Sequence, residues 1–246
     1  MPFHEKSNSM KKTLLTVGLL ASAAVALTSF HHSFSQKEKW TNLFDGKTIT
    51  GWHSYHKTGV VGWAVENGEV TPDGTGGDLV TDKEYENFDL EFEFKLPKGS
   101  NSGVIYKVQD RPDIISTYMS GPEYQVIDDK GYEWKDKDGK LMNLANTQLT
   151  GADYDMYQPN DLNLIKPIGE WNKGRIVVNN NHVEHYLNGR KVVDYEYGSD
   201  AWKAQVAKSK FAKWPYATPH AKGNIAIQCQ SPKERAWYRN VRIREM

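Results

Sequence analysis

Glu123 and Gln125 stand two residues apart in the stretch Gly121-Pro122-Glu123-Tyr124-Gln125-Val126-Ile127-Asp128-Asp129. In an extended chain alternate side chains share a face, so Glu123, Gln125 and Ile127 point one way and Tyr124, Val126 and Asp128 the other. A carboxylate and an amide on one face suit a strand that lines a groove; a solvated pair on an open sheet face is the bland alternative. Other residue types able to move or hold a proton are scattered more widely. Lys107 follows Tyr106, and alternation lets only one of the two face a site squarely. His185 shares parity with Val183 and Leu187, which reads either as a hydrogen-bonded core histidine or as a neutral imidazole available as base, acid or metal ligand.

Composition narrows the function classes. The 246 residues are 38% hydrophobic and 12% aromatic, and 31 basic residues balance 31 acidic ones. With no Lys/Arg-rich run, the charge track that binds phosphate backbones is missing, so nucleic acid is not an expected partner. Cys229, the single cysteine, cannot form an internal disulfide or a thiolate zinc site, and Ile225 to Cys229 reads as a buried strand in which a thiol simply packs. Lys11-Lys12 followed by the uncharged run from Thr13 to Phe30 has the form of a secretory leader. Ala24-Val25-Ala26 and Ser33-Phe34-Ser35 both fit a small-x-small cleavage site, the second being favoured and leaving Gln36 near the mature terminus; residues 1–36 are expected to be the signal peptide and 37–246 the mature domain, with no span left in the membrane. Retention of the run as an anchor is the competing reading. The mature chain is expected in the periplasm or secreted.

These residues need a scaffold, and the pattern predicts an all-β one. Phe88-Asp89-Leu90-Glu91-Phe92-Glu93-Phe94 alternates strictly, with the apolar set toward a core and the acids toward water. Strands are also predicted over 102–108, 123–128, 174–179, 182–187, 191–197, 224–228 and 235–244. Asn67-Gly68 and Asn188-Gly189 mark tight hairpins, and Asn179-Asn180-Asn181 another. One short helix is expected after Ser199, carrying Trp202, Val206 and Phe211 inward while Lys203, Lys208 and Lys210 stay solvated. Residues 132–167 are predicted to be a long functional loop region. Many short antiparallel strands with one helix give a sandwich of two sheets or a jelly roll, whose outer concave face can take Glu123 and Gln125 while Tyr124 and Val126 fill the core.

An ordered series of motifs runs along nearly the whole mature chain: Leu43-Phe44-Asp45-Gly46, Gly51-Trp52, Trp63 to Gly68, Phe88 to Leu96, Asn101 to Lys107, Gly121 to Asp129, Lys166 to Asn172, Val183 to Gly189, and Tyr238 to Ile243. The series resembles the family of secreted 3-keto-disaccharide hydrolases, formerly a domain of unknown function, with a concanavalin A-like jelly-roll fold. One departure stands out: Gln228-Cys229-Gln230-Ser231 occupies the place where such proteins often carry a His-Gly pair, so a histidine role there does not transfer. The resemblance implies cleavage of a carbohydrate already oxidised at C3 by a separate nicotinamide-dependent oxidoreductase. The ketone acidifies the C2 proton, which makes elimination of the C1 aglycone accessible to a base and an electrophile.

On that chemistry Glu123 is the first candidate for general base or metal or substrate ligand, and Gln125, about 7 Å along the same face, suits a sugar hydroxyl. Lys107 is the candidate cation for an enolate oxygen, with His185 as the third catalytic candidate. Tyr106, Asp128, Tyr157, Glu170, Trp171 and Asn172 complete the candidate substrate contacts, Trp171 as an aromatic face for a sugar ring. A divalent ion on Glu123 or His185 would help an elimination as a Lewis acid; the residues leave that open, and Asp136-Lys137-Asp138-Gly139 lacks the ligand run of a calcium loop. Two other functions compete. A non-catalytic carbohydrate-binding module would show amides and aromatics without a base and cation. A conventional retaining glucanase would need two carboxylates about 5 Å apart.

Overall fold

The computed structural model describes residues 39–229, 231 and 235–246; the predicted leader lies outside the described residues. Its strands in chain order are β1 (Thr41–Asn42), β2 (Trp52–Ser54), β3 (Trp63–Glu66), β4 (Glu69–Pro72), β5 (Leu79–Thr81), β6 (Phe88–Lys95), β7 (Asn101–Val108) and β8 (Glu123–Ile127). After two small strands, β9 (Trp134–Lys135) and β10 (Leu141–Met142), come β11 (Asn172–Asn179), β12 (His182–Leu187) and β13 (Arg190–Glu196). The helix α1 (Asp200–Val206) precedes β14 (Asn224–Ile227) and β15 (Trp237–Glu245).

Among the described residues the strands form two large antiparallel sheets, and β9 pairs with β10 in a separate two-stranded ribbon. The larger runs β13-β12-β11-β6-β15-β4-β3, with β1 paired to β15; the smaller runs β2-β5-β14-β7-β8. Among the described residues the architecture is therefore all-β and jelly-roll-like, with one short α-helix. The turns follow from local chemistry. Asn67 and Gly68 (φ 54° and 81°), Asn188 and Gly189 (51° and 87°), and Asn180 and Asn181 (49° and 72°) all take the left-handed conformation that two-residue hairpins need. Ser199 caps α1 by accepting the Trp202 N–H at 3.2 Å, and Trp202 and Val206 are buried. No helix among the described residues is long and apolar enough to cross a membrane.

The core lies between the sheets. Phe88, Leu90, Phe92 and Phe94 of β6 are each at most 1% exposed and pack with Tyr124 and Val126 of β8 and with Tyr238 of β15. The opposite face of β6 is less wet than its acids suggest. Asp89 is buried because Arg175 binds it through Nε and Nη2 at 2.6 and 2.9 Å and Arg244 adds a bond at 2.7 Å. Removing one partner of such a cluster strands the others. Asp89→Ala is expected to lower unfolding free energy by about 3 kcal/mol, which a urea melt would measure. The predicted loop region 132–167 does hold mostly turns, but the segment around Asp153 docks on β8, bridging Tyr124 and Tyr157.

Candidate active site

Strand parity sets one cavity on the outer face of the smaller sheet. β8 pairs with β7 so that Gly103 faces Gln125 and Ile105 faces Glu123, and Gln228, just past β14, donates its N–H to the Gly103 carbonyl at 2.9 Å. Asn101, Glu123, Gln125 and Gln228 thereby line a cavity of about 240 Å³. Its other walls are Tyr118, Tyr154, Lys210, Phe211 and Trp214. Glu123 and Gln125 face this cavity while Tyr124 and Val126 lie in the core, as alternation predicts.

A glycine makes room for the carboxylate. A Cβ at Gly103 would stand 2.2 Å from Glu123 Oε1, so a side chain there and the observed Glu123 rotamer exclude each other. Burial pushes the Glu123 carboxyl up to about 8, opposed by the charge of Lys210 and reinforced by Asp78, Asp153 and Asp155. Lys210 Nζ pairs with Asp155 at 2.7 Å and lies 4.2 Å from the centre of the Tyr154 ring. The amides present hydrogen-bonding capacity to a ligand. Gln125 Oε1 accepts the Val126 N–H at 2.9 Å, which leaves its NH₂ as a donor. Asn101 Oδ1 and Gln228 Oε1 are buried without a hydrogen-bond partner among the described residues, a costly state that a hydroxyl-bearing ligand would relieve.

The other candidates do not converge on this cavity. Lys107 sits at a bulge, φ 57°, where β7 loses register with β14. The bulge turns Val108 outward and sends the Lys107 side chain sideways, where Nζ donates to the Ala221 carbonyl at 2.5 Å and lies 5.4 Å from the Tyr197 ring centre. Burial lowers its pKa to about 8. His185 and Tyr106 are wholly buried between the sheets, with Tyr106 Oη 3.0 Å from His185 Nε2 and 2.9 Å from Tyr195 Oη. His185 Nδ1 is 3.1 Å from the Gly151 carbonyl, so both ring nitrogens are engaged and burial lowers the imidazole pKa to about 4. The core reading of His185 is the one its surroundings support, and neither ring nitrogen is left for an ion.

The remaining substrate-contact candidates divide again. Tyr157 stacks on Tyr195 with centroids 4.5 Å apart. Asp128 accepts the backbone N–H groups of Gly99 and Gly131 at 2.8 and 2.9 Å and so builds its own turn. Asn172 Oδ1 accepts the Lys166 N–H at 2.9 Å and the Asn188 side-chain amide at 2.8 Å. With Glu170, Asp128 and Asn172 line a separate, largely apolar cavity of about 330 Å³ beside Phe94 and Ile168. Trp171 lies outside it, with the cations of Lys95 and Arg239 within 4.6 and 3.9 Å of its ring centre.

Lys210, Tyr154 and Trp214 are the contributors that spacing alone did not expose. Lys210 read as a solvated helix residue because its 3₁₀ turn, Lys210–Lys213, folds over the sheet through tertiary contacts no local pattern announces. Asn101 did carry a signal: it shares parity with Gly103 and Ile105 on the strand facing Glu123.

The 3-keto-alpha-glucoside-1,2-lyase-like domain family matches residues 39–244. The chain belongs to this family. A 3-keto-disaccharide hydrolase of Bacteroides thetaiotaomicron is 34% identical over 233 residues, covering 83% of this chain and 78% of that protein. A crystal structure from Parabacteroides distasonis, provisionally named a glycosyl hydrolase, is 35% identical with a TM-score of 0.77, covering 84% of this chain and 94% of the other. A second structure from that organism, also provisionally named a glycosyl hydrolase, is 27% identical with a TM-score of 0.63, covering 85% of this chain and all of the other. In this family member one cavity brings together a carboxylate, Glu123, and a lysine, Lys210.

Proposed function

We propose that this protein is a glycoside hydrolase or lyase that cleaves 3-keto-glycosides, with Glu123 as the base that removes the C2 proton. The C–H electron pair passes into an enolate on the C3 oxygen, which Lys210 is placed to hold. Collapse of the enolate breaks the C1–O bond, the aglycone leaves with the electron pair and takes up a proton, and a C1=C2 double bond remains. Water adding at C1, with a proton returned to C2, completes a net hydrolysis. The donors and acceptors of Gln125, Asn101 and Gln228 suit ring hydroxyls, and Trp214 and Tyr118 offer apolar faces.

The observation that carries this reading is a buried carboxylate sharing a cavity with a lysine in a member of this family. A cavity of amides and aromatics alone would suit a binding module; a charged base and cation suit proton abstraction. Glu123 is the one carboxylate among the residues lining that cavity, so the paired acids of a retaining glucanase are not assembled there. The substrate's ketone must come from a separate oxidoreductase. The leader read in residues 1–36 would deliver the enzyme outside the cytoplasm, in the periplasm or beyond.

The test is aglycone release from 3-keto-trehalose beside unoxidised trehalose, by the wild-type protein and a Lys210→Met variant. Release from the keto sugar alone is expected. Lys210→Met is expected to lower kcat by about 10²-fold and to shift the alkaline rise of kcat/KM to higher pH, because the cation that lowers the Glu123 pKa is gone. Equal cleavage of both sugars would overturn the elimination route.

A further inference from the structure

Tyr154, Asp155 and Met156 form the tip of a tight turn that Asp153 and Tyr157 close by exchanging backbone hydrogen bonds at 3.0 and 2.9 Å. Each of the three reaches a different part of the frame around Glu123. The Tyr154 N–H donates to the Glu123 carbonyl at 3.0 Å, the Asp155 carboxylate pairs with Lys210 Nζ at 2.7 Å, and the Met156 carbonyl accepts from Gln205 Nε2 of α1 at 3.2 Å. Base and cation, far apart in sequence, are thus tied to adjacent residues of one turn. We infer that Asp155 is the positioning residue that sets the Lys210 ammonium at its working distance from Glu123. The inference rests on the reading of Lys210 as the group that holds the enolate oxygen.

A lysine ammonium on a flexible stem does not aim itself. The 3₁₀ turn Lys210–Lys213 brings the residue to the cavity, and its head group is then held by Asp155 and by the Tyr154 ring, 4.2 Å from the ring centre. Asp155 is itself fixed. Its N–H donates to the Thr147 carbonyl at 2.9 Å, and its Oδ1 accepts from Gln148 Nε2 at 2.9 Å while Oδ2 faces Lys210. Gln148 is anchored in turn, its Oε1 accepting the Ala145 N–H at 3.0 Å. Asp155 also takes φ 57°, a left-handed conformation that Asp and Asn tolerate better than most residues with a side chain. The ion pair is partly open to water, with Asp155 22% and Lys210 41% exposed, so it contributes direction more than binding strength.

Asp155→Asn tests this with the turn intact, because asparagine suits the same φ and its amide oxygen can still accept from Gln148. Rates on 3-keto-trehalose are measured for the wild type, Asp155→Asn, Lys210→Met and the double variant. Asp155→Asn is expected to lower kcat about tenfold, less than Lys210→Met because the Tyr154 ring still holds the ammonium, and to change KM less than about twofold. In the Lys210→Met background the same substitution is expected to change kcat less than about twofold, since a residue that acts through Lys210 then has nothing to place. A loss of equal size in both backgrounds, or no loss with Lys210 present, would overturn the role. The assignment of Lys210 fails separately if Lys210→Met is as active as wild type, or if the wild type leaves the keto sugar intact. A crystal structure of Asp155→Asn then decides the placement: Lys210 Nζ displaced from its present position supports it, and Nζ unmoved refutes it.

Discussion

Glu123→Gln is expected to lower kcat/KM on a 3-keto-glycoside by roughly 10³-fold, the scale of a lost general base. Glutamine keeps the shape of the side chain but cannot accept a proton, so the substrate should still bind. The pH profile supplies a second reading. The acting form is the carboxylate, and burial holds its pKa near 8. Wild-type kcat/KM is therefore expected to climb about tenfold per pH unit below that point and to level above it. A flat profile between pH 5 and 9 would remove Glu123 from the base's role.

Stability should move in the opposite direction. The folded pKa of Glu123 lies above its unfolded value, so the fold favours the neutral acid. That contribution is complete below about pH 4.5 and is lost as pH rises to about 8. Glu123→Gln should thus melt higher than wild type at pH 8 and about equally at pH 4. An inactive variant that is also more stable at pH 8 could not be dismissed as misfolded, and it would illustrate the cost a fold carries to keep a reactive group dry.

Gly103→Ala is expected to reduce activity by about 10²-fold, the penalty typical of displacing a catalytic group by an ångström. The new methyl would sit 2.2 Å from the present position of Glu123 Oε1. The methyl would also stand 2.9 Å from Glu123 Cδ and Cγ, so the side chain must rotate away from Cγ outward, while alanine suits an extended strand better than glycine. Stability should stay within about 1 kcal/mol of wild type. A crystal structure of the variant should show the Glu123 carboxylate rotated. Full activity would mean that the carboxylate acts from another position.

The wide limits of the site and its neighbours were unevenly legible. Strict alternation at 88–94 and at 123–127 sufficed to separate core from groove, because in a strand each side chain's face is a consequence of its number. The same logic failed at Lys107, where a bulge adds a residue and reverses parity. It failed in another way at His185, whose parity pointed correctly inward but whose polarity made it look available. A buried imidazole bonded to Tyr106 and Gly151 satisfies the same sequence pattern as a catalytic one. Asp89 shows the converse: a residue read as wet is buried because Arg175 and Arg244, 86 and 155 positions away, close over it.

Amino-acid order alone thus established a two-sheet β fold, the Asn-Gly hairpins, the capped helix and the strand bearing Glu123 and Gln125, since each depends on residues adjacent in the chain. It could also carry the family resemblance, which accumulates over many short motifs. Which lysine lines the Glu123 cavity is decided by assembly in space. Lys107 and Lys210 are equally charged on paper, and only the packing of a 3₁₀ turn against the outer face of the smaller sheet puts Lys210 at the cavity and leaves Lys107 beside Ala221. Contacts between segments distant in sequence have no period to read, and they are what gather a lysine, three amides and a carboxylate around one space.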